Sequence, residues 1–197
     1  GAGTASITID GTTYTAPSND LDGNPRPNPA GTVPDMGAYE SDKGVDPNYA
    51  GPVWYVDGPA GLPYGNGGPG APFTTIQAGI DASSSGDTVS VKAGTYIENI
   101  DFDGKNIAVY GEDQATTIID GNQSGSVVIF ELEETAAAML SGFTITNGGD
   151  VNSGGGIRCT SNSNPTLNNL IVQNNTANNG GGISLESSNP TLSNVTI

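Results

Sequence analysis

An internal repeat of about 25 residues constrains this chain of 197 residues more than any other feature of its sequence. The segment 154–157, Gly-Gly-Gly-Ile, recurs at 180–183, and the segment 164–167, Asn-Pro-Thr-Leu, recurs at 189–192. A weaker copy shares the pattern Leu-x-(Gly/Asn)-apolar-x-apolar and begins at Leu140. A period this short excludes helix-pair repeats and propeller blades, and the repeats hold too few leucines for a leucine-rich repeat.

Each repeat contains short stretches in which apolar and polar residues alternate. Ile157-Arg158-Cys159 alternates in this way, as do the segments 170–172 and 183–185. Such alternation predicts half-buried strands, and the Asn and Gly residues between them suit sharp bends. The sequence therefore predicts the coils of a parallel β-solenoid, in which a bend Asn hydrogen-bonds to its equivalent in the next coil.

The middle of the chain continues this pattern with less regular coils. Strands are predicted where β-branched residues lie between Gly and Asp turn signals, at 88–92, 105–110, 117–120 and 126–130.

One helix is predicted just before these coils. Phe73, Ile76 and Ile80 form a single apolar stripe, and Thr74 with Gln77 matches a capping box. We expect this helix to act as a lid over the apolar end and the unpaired strand edge of the solenoid.

The charge balance limits the partners and the chemistry of the chain. Five Lys and Arg stand against 21 Asp and Glu, which gives a formal net charge of −16. This balance argues against nucleic acid as a partner, and no apolar run is long enough for membrane insertion. No histidine is present, and the single cysteine, Cys159, has no partner for an internal disulfide and is expected to fill the interior. An acidic chain suits an extracellular or cell-surface location and loose binding of Ca²⁺.

From Trp54 onward the sequence resembles the right-handed parallel β-helix, or pectate-lyase-like, superfamily, and especially secreted bacterial β-helix repeat proteins. The matching segments are 54–57, 72–77, 86–91, 93–99, 118–121 and 142–147. The resemblance implies an all-β right-handed parallel β-helix with coils of about 25 residues and a short N-terminal capping helix.

The resemblance also divides the chain into four parts. Residues 1–41 resemble the closing segment found at the C-terminal end of such β-helices, and 42–53 form an acidic Gly/Pro linker. Residues 54–85 hold an opening strand, a Gly-rich loop and the capping helix, and 86–197 hold the coils.

A calcium site is one interpretation of Asp20, Asp22 and Asn24, which have the opening spacing of an EF-hand loop. The pattern fails later, because Pro25 and Gly31 stand where such a loop has Gly and Glu. The alternative is an Asx-turn scaffold.

Two catalytic interpretations were weighed. The resemblance to lyases would make Arg158 a candidate base, with Ser184 and Glu186 on the next coil, although neighbouring coils offer no companion cation. The run Glu131, Glu133 and Glu134 would suit a glycoside hydrolase, but a charged run at a coil edge is more typical of a loop. A solvated outward arginine is the alternative for Arg158.

The sequence thus favours a non-enzymatic extracellular structural module, such as a stalk, fibre or adhesin segment. Head-to-tail assembly is expected through apolar residues near the two termini: Ile7, Ile9, Met36, Tyr39, Leu192, Val195 and Ile197. The expected partners are further copies of the chain or further coils of the same polypeptide, and a cell-surface glycan is a third candidate. The alternative function is that of a polysaccharide-binding or polysaccharide-degrading β-helix protein.

Overall fold

The structure is a computed structural model, which describes residues 6–9, 12–15, 49–58, 61 and 65–197. It contains the helix α1 (Ile76–Ala82) and fourteen strands. The strands are β1 (Ser6–Ile9), β2 (Thr12–Thr15), β3 (Val53–Val56), β4 (Thr88–Val91), β5 (Gly94–Ile97), β6 (Ile100–Asp101), β7 (Ala108–Gly111), β8 (Thr117–Asp120), β9 (Val128–Phe130), β10 (Met139–Thr146), β11 (Ile157–Cys159), β12 (Thr166–Gln173), β13 (Ile183–Leu185) and β14 (Thr191–Thr196).

The strands from β3 onward form a parallel β-solenoid of about four turns, as predicted. One sheet has the order β14-β12-β10-β7-β4-β3, with β5 and β8 beside this path, and a second sheet has the order β13-β11-β9-β6. Leu140 pairs with Leu167, and Leu167 pairs with Leu192, so the repeat in the sequence is the register of the coils. The opening strand β3 pairs directly with β4 in the first of these sheets.

A glycine pair lets one long strand of a later coil replace two short strands of the coil before it. The first part of β10 pairs with β7 and its last part pairs with β8. Gly142 lies between the two parts with φ +82, and a Cβ there would lie 2.5 Å from the carbonyl oxygen of Gly111. Only glycine combines this backbone angle with this close approach.

Inward-facing residues of the coils stack into one apolar core. Val89, Val109, Leu140 and Leu167 occupy one column of the first sheet, and all are fully buried. Cys159 is also buried, as expected. The stacking of equivalent residues explains why a chain with few aromatics, 6% of its residues, still builds a continuous core mainly from aliphatic side chains.

Helix α1 covers the apolar N-terminal end of the solenoid, as predicted, whereas the free edge of β3 is paired by the loop that follows it rather than by the helix. Ile76 and Ile80 are fully buried, and the helix contacts β3, β4 and β6. Its N-cap is Thr75, whose hydroxyl accepts from the amide of Ala78 at 3.3 Å, so the predicted capping box at Thr74 was misplaced by one residue. The position that would complete the box is an alanine, which has no side-chain acceptor.

Charged side chains of the first coils hold both ends of this helix. The Glu98 carboxylate accepts from the amides of Ile76 at 2.8 Å and Gln77 at 3.0 Å. At the other end, Lys105 Nζ donates to the carbonyl oxygens of Ile80 and Asp81 at 2.8 and 2.9 Å. Each charge therefore faces the helix terminus of opposite polarity, although the helix is only two turns long.

The side chain of Gln77 completes the edge of the second sheet. Its Oε1 accepts from the amide of Asp101 at 2.9 Å, and its Nε2 donates to the carbonyl of Asp101 at 3.2 Å. The side-chain amide of Gln77 thus makes the hydrogen bonds to β6 that a neighbouring strand would otherwise make. This contact blunts the sheet edge at the N-terminal end of the solenoid.

Bend asparagines form the expected hydrogen bonds between coils. Asn194 Nδ2 donates to Asn169 Oδ1 at 2.6 Å, and Asn178 Nδ2 donates to Asn152 Oδ1 at 3.1 Å. Asn169 and Asn194 have φ of 51° and 52°, in the left-handed region that Asn tolerates.

Near the N-terminus, β1 and β2 form an antiparallel hairpin. Ile7 and Ile9, two of the residues expected to take part in assembly, lie in β1. Asp20, Asp22, Asn24, Met36 and Tyr39 lie outside the described residues.

The pH dependence of stability is expected to reveal the half-buried carboxylate of Glu98. Burial raises the pKa of Glu98 above its ordinary value, although the amides of Gln77 and Ile76 lower it. A raised folded-state pKa stabilises the fold below the unfolded pKa, and this contribution is lost as pH rises through the folded pKa. The melting temperature of the wild type should therefore fall as pH rises from about 4 to about 7, and that of Glu98→Gln, which has no carboxyl to titrate there, should fall less.

Glu112→Gln is the matched control for this titration. The pKa of Glu112 is lowered, first by the amide of Ala93 and then by Lys92, so its contribution is lost as pH falls. The control should change the pH profile of melting temperature in the opposite sense. Identical profiles for wild type and Glu98→Gln would contradict the assignment.

Candidate functional site

Arg158 lies on the outer face of β11, between the buried residues Ile157 and Cys159. Its Nη2 donates to Glu131 Oε2 of the preceding coil at 2.5 Å, and both side chains are about one-third exposed. Its strand neighbours are Ile129 and Ser184, so no second cation adjoins it in the register. The arginine is held in an ion pair that a role as proton acceptor would have to break.

Glu134, which the sequence predicted to lie in a charged loop at the edge of a coil, is a fully buried carboxylate. Its Oε1 accepts from the amide of Gly104 at 3.0 Å, and its Oε2 accepts from the amide of Leu132 at 3.0 Å and the hydroxyl of Ser163 at 2.6 Å. These partners belong to three successive turns of the chain. The carboxylate therefore joins coils rather than facing a cleft.

The three glutamates of the run at 131–134 have separate surroundings. Glu131 pairs with Arg158, Glu134 is buried, and Glu133 is exposed with φ 62. The run lies in the loop after β9, as the loop interpretation expected. Elsewhere in the described ranges, too, no group of three or more His, Cys, Asp or Glu side chains is arranged to hold a metal ion.

The thiol of Cys159 is protonated at neutral pH. Burial, followed by the charge of Glu134, raises its pKa to about 12. A thiol in this state is a poor nucleophile, so Cys159 acts as a small apolar side chain of the core.

Trp54 and Tyr55 open the solenoid but have opposite orientations. Trp54 is buried, packs edge-on against Tyr49 and stacks on Phe73, with ring centroids 5.6 and 6.1 Å apart. Its Nε1 donates to Asp87 Oδ2 at 3.0 Å. Tyr55 alternates with Trp54 and therefore lies on the outer face of the first sheet. Of the two, only Tyr55 is placed to contact a ligand.

The outer face around Tyr55 carries a second tyrosine. Tyr55 pairs with Ser90, and Ser90 pairs with Tyr110. Tyr110 is 41% exposed. Two tyrosines therefore lie on alternate strands of one face, a juxtaposition that only the register between the coils reveals.

The C-terminal coil exposes residues that occupy the interior columns of the solenoid. Leu185 pairs with the buried Cys159 and is 48% exposed, and Leu192 pairs with the buried Leu167 and is 43% exposed. Ile197 is 71% exposed, while Val195 packs partly against the core. This edge of both sheets thus presents apolar side chains together with unpaired strand backbone.

No described helix has both the length and the apolar character needed to span a membrane. Comparisons with protein-family models, curated proteins and solved structures found no match to this chain.

Proposed function

We propose that this chain is a non-catalytic structural module whose C-terminal coil is joined by a further β-layer. The observation that supports the proposal is the exposure of Leu185 and Leu192, whose register partners Cys159 and Leu167 are fully buried. One more layer with the same geometry would bury both leucines and pair the outer backbone of β13 and β14. Each leucine is already about half-buried, so completing its burial would contribute about 1 kcal/mol.

The two ends of the solenoid are unlike, which favours a directional assembly. Helix α1, Glu98 and Gln77 close the N-terminal end, as their contacts with the first coil show. The C-terminal edge instead repeats the sequence and the pairing of the coil beneath it. The layer that joins it comes either from residues 1–41 of a second copy or from further coils of the same polypeptide. Contacts between unlike ends propagate filaments when they do not close.

The finer assignments belong to the same proposal. Membership of the pectate-lyase-like superfamily, secretion to the cell surface and calcium binding at Asp20, Asp22 and Asn24 are consistent with a net charge of −16 and with a solenoid fold. The absence of a catalytic role is supported by the carboxylates of Glu98 and Glu134, which hold backbone amides in place.

Electron microscopy and sedimentation of purified chain test the assembly between copies. We expect filaments or concentration-dependent oligomers that disappear when residues 1–41 are deleted and when Leu192 is replaced by Asp. Leu132→Asp is the matched control, because Leu132 is an exposed leucine away from the C-terminal edge, and it should assemble normally. A monomeric wild type, or filaments unchanged by the deletion, would refute docking between copies and leave further coils of the same polypeptide as the occupant.

A further inference from the structure

The outer face of the first sheet carries a continuous column of uncharged residues that contains both exposed-face tyrosines. The register of β3, β4, β7, β10, β12 and β14 defines it. This tyrosine column consists of Tyr55, Ser90, Tyr110, Ser141, Asn168 and Ser193. Residues between these positions along each strand point inward, which places the column on the outer face of the sheet. Ser141 is buried at 7% exposure, so the accessible part is Tyr55 to Tyr110, followed by Asn168 and Ser193.

The neighbouring outward column on the same strands is also uncharged. It consists of Val53, Thr88, Ala108, Met139, Thr166 and Thr191. The chain carries 21 Asp and Glu, yet none of them lies in either column. Charged residues resume on the other side of the tyrosine column, where Lys92 and Glu112 form an ion pair at 3.2 Å, so the uncharged strip is limited to these two columns.

The spacing of the two tyrosines suits the stacking of sugar rings. Tyr55 and Tyr110 are separated by one strand, which places them about 9.6 Å apart along the solenoid axis. This separation is close to one disaccharide unit of an extended β-linked glycan. Ser90 lies between them and is small enough to leave both rings accessible to a chain lying along the column.

Hydrogen-bonding groups continue beyond the tyrosines along the same line. Asn168 Nδ2 donates to Ser141 Oγ at 3.3 Å, and Ser193 follows on the next strand. Hydroxyl and amide groups both donate and accept, so they match the hydroxyls of a sugar. Aromatic rings beneath the apolar faces of sugars, with amides and hydroxyls beside them, form a surface for carbohydrate.

We propose that the tyrosine column binds an uncharged, extended polysaccharide that lies parallel to the solenoid axis. Acidic polymers and nucleic acids are disfavoured because the column lacks cations and the chain carries a net charge of −16. A second copy carries the same net charge, and a face of serine, threonine and asparagine offers little apolar area for a protein interface. The proposal does not rest on end-to-end assembly, because the column lies along the side of the rod.

Affinity electrophoresis in gels that contain a soluble neutral polysaccharide tests the proposal. The probes are hydroxyethyl cellulose, glucomannan and arabinoxylan, with polygalacturonate as the acidic control. We expect at least one neutral polymer to retard the wild type and polygalacturonate to leave it unretarded. Tyr110→Ala should weaken that binding by about tenfold, and Ser90→Asp, which places a charge between the tyrosines, should weaken it as well.

Ile97→Ser is the matched control, because Ile97 is a 71% exposed apolar residue on β5, outside the tyrosine column. It should be retarded like the wild type. Retardation by none of the neutral polymers, or equal retardation of wild type and Tyr110→Ala, would overturn the proposal. So would oligomers that dissociate on Tyr110→Ala without any glycan present, since the column would then be a protein interface. Leu192→Asp should leave glycan binding unchanged, which separates this test from that of assembly.

Discussion

Glu134→Ala is expected to lower the free energy of unfolding by about 2–3 kcal/mol, a substantial part of the stability of a single domain. The carboxylate is fully buried and accepts from two backbone amides and the hydroxyl of Ser163. Alanine would leave the partly buried amides of Gly104 and Leu132, and the buried hydroxyl of Ser163, without their acceptor. Urea unfolding followed by the fluorescence of Trp54, the only tryptophan of the chain, measures the loss.

Two further variants separate the carboxylate from its partners. Glu134→Gln keeps one oxygen but directs an amide group at a donor, so its loss should be intermediate. Ser163→Ala removes one of the donors and leaves both amides bonded, at an expected loss of about 1 kcal/mol. A loss below about 1 kcal/mol for Glu134→Ala would show that water replaces the carboxylate and that it does not hold the coils together.

The register of the solenoid was predictable from the sequence because equivalent residues of successive coils lie directly on one another. The alignment of Leu140, Leu167 and Leu192 in the repeat is the pairing observed in the sheet, and Cys159 pairs with Leu185, one repeat later. In a stacked repeat, residues that lie one period apart in the sequence are neighbours in space.

The roles of the acidic residues could not be predicted in the same way. Glu98 and Glu134 each bond mainly to groups about 20 to 30 residues away in the chain, so no local sequence pattern indicates their roles. The tyrosine column was missed for a related reason. Tyr55 and Tyr110 belong to the irregular early coils, where the repeat is too weak to align them without the observed pairing.

Gly148→Ala is expected to cost about 3 kcal/mol, because the backbone leaves no room for a side chain there. A Cβ at Gly148 would lie 1.8 Å from the carbonyl oxygen of Gly155, a glycine of the repeated Gly-Gly-Gly-Ile segment. That oxygen accepts from the amide of Val127 at 3.0 Å, so moving it away would break a hydrogen bond between coils. The midpoint of urea unfolding should fall, with an unchanged dependence on denaturant if the fold persists.

Gly149→Ala is the control for the intrinsic effect of replacing glycine in this turn. The nearest atoms to a Cβ at Gly149 lie 3.3 Å away, so a small adjustment accommodates it and the expected change is below about 1 kcal/mol. Equal losses at the two positions would mean that turn conformation, rather than the approach of Gly155, requires glycine here. Close backbone approach also explains the repeated glycines. A Cβ at Gly156 would lie 2.5 Å from the carbonyl oxygen of Gly182 in the next coil. If contact with backbone is what excludes side chains, the glycine triplets recur because each coil must let the next one approach, and the period in the sequence follows from that packing.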